Sequence, residues 1–87
     1  MQEAIRINKF DNVAVALKSL SKGQVIIIEE KSVTLIEDIP AGHKFALEEI
    51  DLGSEVIKYG YSIGNATSKL DMGQWVHTHN LATGLKE

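Results

Sequence analysis

The chain has 87 residues, of which 44% are hydrophobic and 24% charged, and it carries a net charge of −3 with a pI near 5.6. That composition suits one small folded domain over residues 1–87 and excludes a disordered chain. The acidic balance, without a basic block, speaks against nucleic acid as a partner; no stretch reaches the ~20 apolar residues of a membrane span; and with no cysteine there is neither a disulfide framework nor a thiolate metal site.

The N-terminal residues MQEAIRINKFDN place charges where a signal peptide needs an apolar run, so a soluble, cytoplasmic protein is expected. Ala4 to Phe10 alternates and reads as a strand, with Ile5 and Ile7 on one face. Asn12 to Leu20 fits either an amphipathic helix or a buried strand; the period-two spacing of Val13, Val15 and Leu17 favours a strand in its first half. The β-branched runs Val25–Ile28 and Val33–Ile36 are joined by the polar, hairpin-length link Glu29-Glu30-Lys31-Ser32. Phe45 to Ile50 holds good helix formers but is too short for more than a turn or so. Val56–Tyr59 and Trp75–His79 complete the expected strands, and Pro40, the single proline, falls in a turn.

A repeat punctuates these segments. Leu20-Gly23-Ile26, Ile39-Gly42-Phe45, Ile50-Gly53-Val56 and Leu70-Gly73-Val76 share the pattern apolar-x-x-Gly-x-x-apolar. A glycine at that place suits a turn with positive φ, anchored to a core by the apolar residues on either side. Short strands separated by such turns predict a small, mostly β domain with short helical turns.

Three groups of polar residues could carry chemistry. His77 and His79 alternate beside Trp75, and on a strand they would share a face and converge on one ion or anion. A bare His-x-His is more often a solvated or hydrogen-bonded pair, and a metal site would need a further ligand, with His43 the only other histidine. His43 and Lys44 follow the glycine of the second turn unit and could hold a carboxylate, although a plain solvated loop is the blander alternative. Asp11-Asn12 suits a turn or cap, and Lys58-Tyr59-Gly60 could present a charge near a bend. There is no glycine-rich phosphate loop and no Gly-x-Ser-x-Gly elbow.

The order of the segments adds to this. DNVAVAL (11–17), PAGHKFAL (40–47), EVIKYGYSIGNAT (55–67) and GQWVHTHN (73–80) together resemble the N-terminal domain of the altronate and galactarate dehydratase family, which belongs to the SAF group with a β-clip fold like that of type III antifreeze proteins. The resemblance implies part of a lyase that removes water from a sugar acid to give a 2-keto-3-deoxy acid with a divalent metal, iron or manganese. It carries His43, His77 and His79 over as candidate catalytic residues, with His77 and His79 as candidate metal ligands. Asp11, Asn12, Lys44, Lys58 and Asn80 are carried over as candidate substrate contacts. Enzymes of this family are several hundred residues long, so the resemblance also implies a large catalytic dehydratase subunit as partner, or a chain cut from a longer enzyme; the Met1 start and the Leu81–Glu87 tail favour the separate small subunit. The alternatives kept are a sulfolactate sulfo-lyase-like small subunit and a binding or assembly module without chemistry of its own. A homo-oligomer is left open.

Overall fold

The computed structural model describes residues 2–82. Among them every regular element is a strand: β1 (Ala4–Ile5), β2 (Val13–Ala16), β3 (Val25–Ile28), β4 (Lys31–Thr34), β5 (Lys44–Ala46), β6 (Glu55–Lys58), β7 (Tyr61–Ala66), β8 (Trp75–Val76) and β9 (Leu81–Ala82). The expected mostly β class is what the structure shows. The expected short helical turns are not found among the described residues; Phe45 and Ala46 lie in β5, where Phe45 is fully buried. Packing decides there: a large apolar side chain beside a strand partner gains more by burial than a lone helical turn could return.

Two further expectations shrink. The strand foreseen over Ala4–Phe10 ends at Ile5, and residues 8–11 form a turn closed by the Asp11 N–H donating to the Asn8 carbonyl at 2.9 Å. The strand foreseen over Trp75–His79 ends at Val76, because residues 77–80 turn so that the Asn80 N–H reaches the His77 carbonyl at 3.0 Å. The segment 13–16 is a strand, as its period-two pattern indicated.

A four-stranded antiparallel sheet, in the order β1-β2-β5-β8, forms the spine. Two hairpins grow from it: β3-β4 stands as a two-stranded sheet, and β6-β7 takes β9 as a third strand. The four glycine units explain this plan. Their glycines have φ of 88, 84, 85 and 85°, and the apolar residues that open them pair two by two, Leu20 with Ile39 and Ile50 with Leu70.

The units make the molecule a duplication. The Gly23 N–H donates to the Leu35 carbonyl, and the Gly53 N–H to that of Ala66. The Gly42 N–H donates to the Ala16 carbonyl, and the Gly73 N–H to that of Ala46. The register repeats as well: Ala14 pairs Phe45 and Val15 pairs Lys44 across β2-β5, just as Lys44 pairs Val76 and Phe45 pairs Trp75 across β5-β8. Strand β5 serves both halves, closing the first and opening the second. Both hairpins even turn through a non-glycine residue at φ 58°, Glu29 in one and Tyr59 in the other.

Two buried clusters follow from the two halves. One gathers Ala14, Leu20, Ile26, Val33, Leu35, Ile39 and Phe45 with Ala4, Ala16, Ile28 and Leu47, and Trp75 packs against it. The other gathers Val13, Ala46, Ile50, Val56, Ala66, Leu70 and Val76. The pleat makes the division, since Phe45 and Ala46, adjacent on β5, point to opposite faces and enter different clusters.

Candidate functional site

His43 lies two residues before Phe45 and so takes the same face of the sheet. Trp75 is the direct cross-strand partner of Phe45, which sets the indole diagonally beside the His43 ring. The two meet: the Trp75 Nε1–H donates to His43 Nδ1 at 3.2 Å, with ring centroids 5.7 Å apart. The His77 ring lies 4.6 Å from that of His43 and nearly parallel to the indole, at 9° and 5.5 Å. His79 touches the same indole, 5.0 Å between centroids and tilted by 50°. All three histidines of the chain therefore gather around one tryptophan.

The turn that carries His77 and His79 is held from inside by Asn80, which is buried. Its side-chain amide donates to the Trp75 carbonyl at 2.8 Å, and its Oδ1 accepts from the His77 N–H at 2.9 Å. The Thr67 N–H donates to the Asn80 carbonyl, tying the turn to the end of β7. Asn80 thus spends its amide on backbone groups and acts on the cluster by shaping the turn.

Asp11 and Asn12 do the same for the β6-β7 hairpin. Asp11 is buried, with Oδ1 accepting from the Gly60 N–H at 2.7 Å and Oδ2 from the Asn8 N–H at 3.0 Å. Burial pushes its carboxyl up, but hydrogen bonds from the amides of Gly60 and Asn8, with those of Tyr59 and Ile7, outweigh that and hold it below the ordinary value. Asn12 grips β6 with both ends of its amide, donating to the Glu55 carbonyl at 3.0 Å and accepting from the Ile57 N–H at 2.8 Å. These contacts fix the strand that ends in Lys58.

Lys44 and Lys58 supply the charge. Both are half-buried, and among the described residues neither has a carboxylate within salt-bridge distance; the ion pairs found are Arg6–Glu29 and Lys69–Glu49. Burial lowers the Lys44 ammonium below its ordinary value, and the charge of Lys58 adds to the effect. His77 is lowered likewise, first by desolvation and then by His43, Lys44 and His79. Lys58 also sits over the Tyr59 ring at 4.8 Å. The structure thus brings His43, His77 and His79 together around Trp75, with the charge of Lys44 acting on His77 and that of Lys58 on Lys44. It commits the polar side-chain atoms of Asp11, Asn12 and Asn80 to backbone support.

The metal reading has less geometric support. Among the described residues no three His, Asp or Glu side chains are placed to hold an ion. His77 and His79 lie on a turn rather than alternating along a strand, and each packs on the indole. One ring nitrogen of His43 is already taken by Trp75. The described residues do not make a metal centre by themselves.

Sequence reasoning did not assign Trp75 a place among the site residues. His43 is 32 positions away in the chain, so the pairing of Phe45 with Trp75 had to be seen before the indole could be set against it. The one available signal was the parity that Trp75 shares with His77 and His79.

The wider comparisons agree with the segment order. The family model of the altronate/galactarate dehydratase SAF domain matches residues 2–84. The chain is 46% identical to the altronate dehydratase of Escherichia coli (strain K12) over 83 residues, 95% of this chain and 17% of that protein. It is 37% identical to the altronate dehydratase of Bacillus subtilis (strain 168) over 87 residues, all of this chain and 18% of that protein. It is also 45% identical to the (2R)-sulfolactate sulfo-lyase subunit alpha of Paracoccus pantotrophus over 51 residues, 59% of this chain and 76% of that subunit. The chain thus spans less than a fifth of the length of the two dehydratases, and most of the sulfo-lyase subunit. No helix of the described residues is long and apolar enough to cross a membrane.

Proposed function

The chain belongs to the altronate/galactarate dehydratase SAF-domain family, and on that premise we propose that it forms the acid-recognising edge of a sugar-acid dehydratase whose other catalytic groups lie on a larger partner or remainder. One observation carries this reading. A half-buried ammonium, Lys44, lies beside a second one, Lys58, and acts on the His77 imidazole, with no carboxylate within salt-bridge distance among the described residues. Partly desolvated charge without a counter-ion is unfavourable, and an anion that enters relieves it.

Dehydration of an aldonic or aldaric acid needs charge on the carboxylate, a base for the proton α to it and an acid for the departing hydroxyl. Lys44, with Lys58 behind it, draws in the carboxylate. His77 is the proton acceptor, since its lowered pKa leaves the imidazole neutral near pH 7. His43 and His79 flank the indole and donate to the oxygens of the acid. Asn80 holds the turn of His77 and His79, and Asp11 and Asn12 hold the hairpin of Lys58. The divalent metal that the resemblance implies would need ligands from beyond the described residues.

A second reading rests on the sulfo-lyase relative, because there the matching region makes up most of a separate subunit. A sulfonate at the β-carbon would then leave where a hydroxyl leaves in the first reading. Calorimetry of the chain with altronate, galactarate and sulfolactate separates the two. Preference for a sugar acid, lost about tenfold or more in Lys44→Ala, supports the dehydratase reading, that loss being the scale of one charged hydrogen bond. Preference for sulfolactate supports the other. Mixing the chain with a dehydratase large subunit tests catalysis: turnover that ignores both His77→Ala and His79→Ala would overturn the assignment of these histidines.

A further inference from the structure

The indole N–H is a donor and has no lone pair to accept with. A nitrogen that receives it must be unprotonated, and the nitrogen that receives it here is Nδ1 of His43, at 3.2 Å. A neutral imidazole carries its one proton on the other nitrogen. We propose that Trp75 is a positioning residue that holds His43 as the Nε2–H tautomer, so that His43 meets a bound acid only as a hydrogen-bond donor. This deepens the proposed function and rests on it for the identity of the ligand, although the tautomer itself is a property of the free chain.

Several features make the arrangement firm. Trp75 is fixed through its backbone by pairing with Phe45 and by the Asn80 amide that donates to its carbonyl. Its side chain packs against the buried cluster of the first half. The indole therefore reaches His43 from a rigid base. His77, by contrast, has no protein hydrogen bond to either ring nitrogen among the described residues; its bonds run from its backbone N–H to the Asn80 side chain and to its carbonyl from the Asn80 N–H. Two imidazoles 4.6 Å apart are thus made chemically different by one neighbour. His43 offers an N–H, and His77 keeps a lone pair for a proton. A sugar acid has both needs at adjacent carbons, an oxygen to be held and a C–H to be broken.

Long-range proton–nitrogen correlation spectra of the 15N-labelled 87-residue chain test this at about pH 8.5, above the titration range of imidazole. In the wild type, the pattern of His43 should be that of an Nε2–H imidazole with a bare Nδ1, and the Trp75 indole proton should exchange slowly with water. In Trp75→Phe the His43 tautomer ratio should relax by about two- to tenfold, the worth of one neutral hydrogen bond, while the pattern of His79 stays as it was. A wild-type His43 protonated at Nδ1, or a ratio that ignores Trp75→Phe, overturns the proposal. Should Trp75→Phe fail to fold, His43→Ala decides instead: faster exchange of the indole proton supports the bond, and unchanged exchange refutes it. The same samples titrated with altronate keep the two readings apart. A held tautomer with no binding defeats the proposed function alone, whereas binding by an Nδ1–H His43 defeats this inference alone.

Discussion

The two halves of this molecule are built on one plan and used differently. In the first half, β2, the Leu20 and Ile39 units and the β3-β4 hairpin make a regular two-stranded projection with full residue-by-residue pairing from Val25–Thr34 to Ile28–Lys31. In the second, β5, the Ile50 and Leu70 units and the β6-β7 hairpin repeat the plan, but a register shift at Val56/Ile57 leaves Ile63 as an extra residue in β7, and β9 adds to the sheet. The bulge and the added strand bend the second hairpin against the N-terminal turn, where Asp11 and Asn12 hold it. The glycine units build a rigid frame twice, and the candidate site arises where the halves meet, at the start of β5 and the end of β8. The first hairpin instead presents Val25 and Ile27 to solvent and borders a hollow of about 320 Å³ lined by Arg6, Lys31, Glu29 and Glu30 among others, with Arg6 already paired to Glu29.

The sharpest way to break the likeness is at equivalent glycines. Gly42 and Gly73 hold the same place in their halves, with φ of 84 and 85°. A Cβ on Gly42 would meet open space, whereas one on Gly73 would lie 2.1 Å from the Thr34 carbonyl oxygen. Gly42→Ala should cost only the left-handed strain, about 1–2 kcal/mol. Gly73→Ala should cost about 4 kcal/mol or more, or abolish folding, because a backbone carbonyl cannot give way. Urea denaturation of both variants measures the difference, and equal costs would show that the Thr34 contact is not maintained in solution.

Next come the apolar residues that close the same two units. Phe45 and Val76 are each fully buried, one in each cluster. Phe45→Ala should lose about 3–5 kcal/mol and Val76→Ala about 2 kcal/mol, in line with the atoms removed. Denaturation midpoints at constant m-value check the pair, and a larger loss for Val76 would mean that the second cluster is the tighter one.

Asn80→Ala removes both side-chain bonds of the turn that only the second half carries. The expected loss is about 1–3 kcal/mol of stability, together with weakened acid binding through the displaced His77. Calorimetry with altronate reads the second effect, and unchanged binding would detach the turn from the site.

The smallest effect is one of pH. His77 is lowered from 6.5 in the folded chain, so the unfolded chain takes up that proton first as the pH falls. Its contribution to stability is complete above 6.5 and is lost as the pH drops through the lower folded value. His77→Ala should therefore flatten the fall in stability just below pH 6.5. Asp11 acts in the same direction further down: its contribution is present above 3.8 and is lost as the pH falls through its depressed folded value. Asp11→Asn should flatten the acid limb below 3.8 and leave the region near 6.5 alone.

Much of the frame could be read from local chemistry. Positive φ leaves a signature in one residue, so four glycines in a shared pattern located four turns, and all four have the expected backbone. The strand in Val13–Ala16 was legible because alternation is a nearest-neighbour property. The strand ends were not. Trp75–His79 keeps its alternation in sequence, yet Asn80 captures the His77 backbone N–H and turns the chain away. Phe45–Ile50 has the composition of a helix, but burial of Phe45 against two strand partners prevails.

The candidate site divides along the same line. The sequence by itself determined the family, the turn units and the β class, and offered His43, Lys44, His77 and His79 as candidate site residues. Only the tertiary structure decided that β5 lies between β2 and β8, and from this came the pairing of Phe45 with Trp75 and the bond from the indole to His43. It likewise decided that Asp11, Asn12 and Asn80 spend their polar atoms on the backbone. The reason is one of range: turn and strand preferences act between near neighbours in the chain, whereas partners across a sheet are chosen by the burial of side chains far apart in sequence.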